Sequence, residues 1–113
     1  MNKTFNNFVI AGFVVNDAVV KKFDTASIAR FGLAYRTAEK KGDEVKTVSD
    51  ILNIETWCKN DDADKLALMK KGSYIKVEGF FKAETYTDNE GKERTVTKKV
   101  ATKLEALEVK KEE

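Results

Sequence analysis

Histidine and proline are absent from the 113-residue sequence, and cysteine and tryptophan occur once each, as Cys58 and Trp57. Without histidine, and with a single thiol, the composition argues against a zinc site and against any Ser-His or Cys-His nucleophile pair. One cysteine also excludes an internal disulfide and fits a reducing cytosol. Paired-carboxylate chemistry survives this exclusion, but nothing in the sequence marks a pair, so an enzyme is a distant reading and no metal or cofactor is expected. Long apolar runs are missing too: the longest, Phe8 to Val15, falls far short of a membrane span. The start of the chain has no charged n-region, apolar h-region or small-residue cleavage site, so no signal peptide is expected and the cytoplasm is the expected compartment.

What is present suits one small globular domain. The length allows a single core and is too short for two. Apolar residues make up 42% and charged residues 35%, a globular rather than a disordered balance. The net charge of +2 is too small to argue for nucleic acid by itself. Its distribution is less even. Residues 20–46 hold Lys21, Lys22, Arg30, Arg36, Lys40, Lys41 and Lys46 against Asp24, Glu39, Asp43 and Glu44. On this count alone a solvated surface explains the excess equally well.

Periodicity divides the chain into strands and one helix. Phe5 to Val15 is rich in aromatic and β-branched residues, with Gly12 as a bend or bulge. Ile28 to Arg36 alternates, with Ala29, Phe31, Leu33 and Tyr35 on one face. "TAEKKGDEVK", residues 37–46, reads as a charged loop around Gly42, long enough to be mobile, and a third strand runs from about Val45 to Cys58. "NDDADKLALMKKG", residues 60–72, switches to helical spacing, with acids at its start and Lys70-Lys71-Gly72 at its end. Tyr74 to Tyr86 and Arg94 to Leu107 form two further strands around the turn Asp88-Asn89-Glu90-Gly91. Alternation assigns Phe31, Leu33, Leu52, Ile54, Ile75, Val77 and Phe81 to the core, and Cys58 reads as a small buried hydrophobe. The order β-β-β-α-β-β is that of an all-β, five-stranded Greek-key OB (oligonucleotide/oligosaccharide-binding) barrel with one short helix between strands 3 and 4. A generic five-stranded α+β domain gives a similar string.

Five stretches in register narrow the choice. "NNFVIAGFVVNDAVV" at 6–20, "IARFGLAY" at 28–35, "DILNIETW" at 50–57, "KKGSYIKVEG" at 70–79 and "YTDNEGKER" at 86–94 together resemble the bacterial single-stranded DNA-binding proteins of the homotetrameric type. The resemblance covers about residues 6–107. It implies an OB domain over 1–108, followed by a short charged end over 109–113. It also implies a non-enzymatic protein, cytoplasmic and nucleoid-associated. Such a protein coats single-stranded DNA without base-sequence preference in replication, recombination and repair. The physics of coating agrees, since any base can stack on an exposed ring and Lys or Arg neutralises phosphate.

Residue by residue, Trp57 and Tyr86 match positions where the family stacks a ring on a base. Trp57 ends the third strand on the Ile51, Asn53, Glu55 face, away from the Leu52, Ile54, Thr56 face assigned to the core. The bland alternatives are that Trp57 packs inside and that Tyr86 staples the turn across the strands. Phe80 shares a face with Lys82 and Tyr86, and is either a third stacking ring or a subunit contact. Lys82 matches a basic position beside the stacking ring. Arg36, Lys40, Lys41 and Lys46 flank or lie in the loop that in the family folds over DNA. Lys98 and Lys99 point to opposite faces, so at most one, taken as Lys98, adds a phosphate contact from the sheet surface.

The sequence also departs from the family. Two stacking positions fall on Ile51 and near Glu39, and Glu55 and Glu84 put carboxylates on the face that meets phosphates. These changes predict weaker binding or a shifted path. The family continues into a tail with an acidic, aromatic tip; "EVKKEE" has neither glycines nor a terminal Phe, which leaves tail-mediated recruitment of replication proteins in doubt. Two other readings therefore stand beside the homotetrameric coating protein: a homodimer similar to the primosomal replication proteins, bridging replication partners, and an OB assembly domain that has lost DNA binding. Self-association is expected through the first strand, whose apolar content exceeds what one barrel face needs.

Overall fold

The computed structural model describes residues 4–108; the charged end at 109–113 lies outside them. The strands are β1 (Phe8–Val14), β2 (Val19–Lys22), β3 (Ala26–Lys41), β4 (Glu44–Lys59), β5 (Tyr74–Thr87) and β6 (Glu93–Ala106), with one helix, α1 (Ala63–Ala67), between β4 and β5. They are hydrogen-bonded in the order β1-β5-β6-β4-β3-β2, and β1 also pairs with β3, closing five strands into an OB barrel. The sixth strand, β2, has no counterpart in the periodicity of the sequence. It lies outside the closure, running along β3 from Val19↔Arg30 to Lys22↔Ser27.

Alternation decides what faces inward. Ala29, Phe31 and Leu33 of β3, Ile54 of β4, Ile75 and Val77 of β5 and Ala101 of β6 build the core with Val14 and Met69, while Leu52 packs against it half-buried. Thr56 is buried among them, and its hydroxyl donates to the Ala101 carbonyl at 3.0 Å, so this buried polar group has a partner. Cys58 is buried, its thiol against the Ser27 carbonyl.

Three expectations are corrected. The helix is shorter than the spacing over 60–72 predicts. Asp61 has a positive φ of 64°, Asp62 caps the first turn by accepting from the Lys65 amide, and the chain leaves the helix at Leu68. Phe81 is exposed rather than core. Its parity directs it inward, but β5 has left the barrel by then. Its ring rests on Phe8 at 5.1 Å, and the Asn6 side chain both donates to its carbonyl and accepts from its amide.

The third correction concerns residues 37–46, which form no loose loop. They are the end of a hairpin paired in register from Thr37↔Val48 to Lys41↔Glu44, closed by Gly42 (φ 61°) and Asp43 as a two-residue turn. Every residue from 36 to 51 is exposed, so backbone pairing alone holds this arm and no apolar alternation advertises it. The β5–β6 hairpin projects likewise. The radius of gyration, 16.9 Å, exceeds the roughly 13 Å of a compact domain of this length, as two projecting arms require.

Candidate nucleic-acid interface

The outer face of the barrel is built by cross-strand register. Partners directly opposite each other share a face, so Trp57 of β4 stands beside Ile28 of β3, which stands beside Lys21 of β2. One step along, Phe80 of β5, Val100 of β6, Glu55 of β4 and Arg30 of β3 form a row across four strands. Next to it, Lys82 of β5 lies directly opposite Lys98 of β6. An open groove of about 300 Å³ runs here, lined by Lys21, Phe23, Arg30, Trp57, Phe80 and Lys82, among others.

Trp57 is 50% exposed, and its ring meets that of Phe23 at 5.6 Å between centroids. Phe80 is half-buried on the groove wall. Like charges directly opposite in a sheet repel. Lys82 offsets part of this through Glu84, at 3.5 Å, while Lys98 forms no ion pair among the described residues. A site with two facing ammonium groups is prepared for an anion. Glu55 is less adverse than its position suggests. Its side chain is only 10% exposed and its carboxylate meets the Arg30 guanidinium at 3.2 Å, so the charge is paired inside the sheet.

Lys98 also borders a second opening, of about 480 Å³, where β4 and β6 part company. Their parallel pairing is confined to Glu55↔Val100 and Thr56↔Ala101, and beyond it the two arms diverge. Because the β6 edge is unpaired there, Lys98 and Lys99 both reach this opening although they sit on opposite faces.

Tyr86 is exposed at the far end of β5, on the Phe80 and Lys82 side, opposite Arg94. The turn beyond it is held by Asp88 instead. The Asp88 carboxylate accepts from Arg94 at 2.7 Å and from the Lys92 and Glu90 amides, each at 2.9 Å. Arg94 foremost, then the Lys92 and Glu90 amides, hold its carboxyl below the ordinary aspartate value. A depressed folded value means that the ionised form is the one that stabilises the turn. That contribution is complete above the ordinary value and is lost as pH falls through the folded one. Protection of the Glu90 and Lys92 amides, taken against their intrinsic exchange rates, should therefore fall in acid below about pH 4, and Asp88→Asn should remove this acid dependence.

The remaining cations sit apart from the groove. Arg36 and Lys40 follow the Trp57 face of β3 by parity, whereas Lys41 and Lys46 point to the other face, opposite Glu44 and Glu39. Arg36 lines a separate hollow with Phe13, Tyr35 and Tyr74, where the Phe13 and Tyr74 rings stack at 4.8 Å. Ile51 is exposed on the Trp57 side of the sheet and Glu39 on the other. Phe23, Lys21 and Arg30 belong to the groove yet escape sequence reasoning. Their one local signal is an aromatic and a lysine two residues apart, in a segment too short to show alternation.

Among the described residues no group of His, Cys, Asp or Glu is disposed to hold a metal ion, and no helix is long and apolar enough to cross a membrane. No curated protein sequence matches the chain. A solved structure described as a Plasmodium falciparum SSB complex with ssDNA superposes with a TM-score of 0.76, covering 96% of this chain and 100% of that one. At 22% identity this likeness establishes the fold alone. The sequence model of the single-strand binding protein family, whose members bind nucleic acid and are not enzymes, matches residues 5–107. A match over that span, on an OB barrel with rings and lysines along one outer groove, means that the chain belongs to the single-strand binding protein family.

Proposed function

We propose that this chain, as one domain over residues 1–108, coats single-stranded DNA without base-sequence preference in replication, recombination and repair. The carrying observation is the juxtaposition, on one outer groove, of half-exposed Trp57 with Phe80 and Lys82, the last directly opposite Lys98 in the β5–β6 pair. Trp57, Tyr86 and Phe80 stack bases, which is tolerant of sequence because every base has a π face. Lys82 and Lys98 neutralise phosphates, joined by Arg36, Lys40, Lys41 and Lys46 where the strand passes the β3–β4 arm. In that role the chain acts at the nucleoid, in the cytoplasm.

Titration with oligo-dT at two salt concentrations, read by the fluorescence of the single tryptophan, tests this. Quenching with an affinity that falls as salt rises is the expected result. Changing Lys82 and Lys98 together to Ala should lower the slope of log K against log salt by about 1.4, at about 0.7 per phosphate contact on a single strand. Absence of both quenching and salt-sensitive binding would turn the reading toward an assembly domain.

The same reading makes the chain a homotetramer, or alternatively a homodimer. Support comes from β1. It pairs with β5 along Phe8–Phe13 but with β3 only at Phe13 and Val14, so one edge is open over most of its length, with Val9 and Phe13 exposed. Sedimentation at micromolar concentration should give a tetramer. A dimer would favour the bridging type, and a clean monomer would remove self-association.

A further inference from the structure

The β2–β3 turn carries a ring that the stacking scheme above does not use. Phe23 follows β2 directly and is 47% exposed, so burial does not account for its place. Its backbone is tied at both ends: its amide donates to the Ala26 carbonyl at 2.8 Å, and its carbonyl accepts from the Asn60 side-chain amide at 2.9 Å. Asn60 in turn accepts from the Ser27 hydroxyl, and Lys22 meets Asp61 at 3.0 Å, which fastens the turn to the end of β4. An exposed aromatic on so fixed a backbone is preorganised for a partner outside the chain.

Its neighbours identify the kind of partner. The Phe23 and Trp57 rings are tilted by 36°, so they form one bent aromatic surface rather than a closed sandwich. Lys21 lies with its Nζ 5.4 Å from the Phe23 centroid and, unlike Lys22, has no carboxylate partner among the described residues. A cation over an exposed ring contributes less than a base stacked on it, so an arriving base displaces the ammonium to the adjoining phosphate.

We propose that Phe23 and Lys21 form a further nucleotide subsite of single-stranded DNA, continuous with Trp57, in which Phe23 stacks a base and Lys21 holds its phosphate. The strand then runs over β2 as well as across β4, β5 and β6, which lengthens the path that Ile51 and Glu39 shorten. This inference rests on the single-stranded DNA reading of the groove.

The test is fluorescence anisotropy of a labelled oligo-dT with the full chain. Phe23→Ala and Phe23→Leu should each weaken binding by roughly five- to 150-fold, the range for one lost stack, with the thermal midpoint confirming a folded chain. Lys21→Ala should lower the salt slope by about 0.7, while Phe23→Leu leaves it unchanged. If Phe23 only propped Trp57, its truncation would do nothing once Trp57 is Ala. A loss that persists in the Trp57→Ala background supports the subsite, and a loss that vanishes there overturns it. Unchanged affinity in both Phe23 variants overturns it as well, and an unchanged slope in Lys21→Ala removes the lysine from it. A wild-type chain that fails to bind oligo-dT at all would instead refute the underlying reading.

Discussion

Trp57→Ala should lower the affinity for oligo-dT by roughly five- to 150-fold, the range for removing one stacking ring, while the chain stays folded. Trp57 ends β4 on the outer face, so truncation opens no cavity in the core formed by Ile54, Leu33 and Ile75. The structural loss includes its ring contact with Phe23, about 1 kcal/mol for an aromatic pair. Affinity and stability therefore separate, which core truncation would not allow. Because Trp57 carries no charge, the dependence of binding on salt should keep its slope, in contrast to the lysine changes. Trp57→Phe retains a ring of smaller area and should fall between wild type and Ala. Anisotropy of a labelled oligomer reads both variants and the wild type without needing the tryptophan itself. If Trp57→Ala binds as wild type does, the DNA path avoids this groove.

Gly79→Ala is expected to unfold or strongly destabilise the barrel, by about 3 kcal/mol or more out of the 5–15 kcal/mol available to a small domain. A Cβ at position 79 would lie 2.1 Å from the Val100 carbonyl oxygen and 2.9 Å from the Phe8 ring. The first neighbour is backbone in a paired strand and cannot swing aside. Position 79 is also where the β5–β6 register shifts, between Glu78↔Lys103 and Gly79↔Ala101, leaving Thr102 as the extra residue. That shift follows from the close approach at Gly79, and it sets Phe80 opposite Val100 and Lys82 opposite Lys98. Destabilisation and loss of DNA affinity should consequently travel together here, unlike at Trp57. Gly42→Ala is the control, since Gly42 has a positive φ but no atom within 4 Å of a new Cβ. It should cost only the left-handed backbone penalty of about 1–2 kcal/mol at the tip of an arm. Thermal melts of the two variants decide the point, and equal midpoints would refute the clash.

The sequence by itself determined five of the six strands, the single helix between the third of these and the final hairpin, and most of the core. Each rests on near-neighbour regularity: a period of two at Phe31, Leu33, Ile54, Ile75 and Val77 reports burial on one face, whatever lies opposite. Motif register singled out Trp57, Tyr86 and Lys82, and the fold leaves all three exposed. Tertiary structure alone decided what depends on a strand's partner rather than its own pattern. The arm at 37–46 is held by backbone pairing between exposed charged residues, which no side-chain period reveals. Phe81 keeps its inward parity but lost its core, because the barrel ends before β5 does. Lys98 meets Lys82, Glu55 meets Arg30, and Phe23 meets Trp57 only through strand register across distant parts of the chain. Long-range register carries no local signature, and it is what assembles the groove.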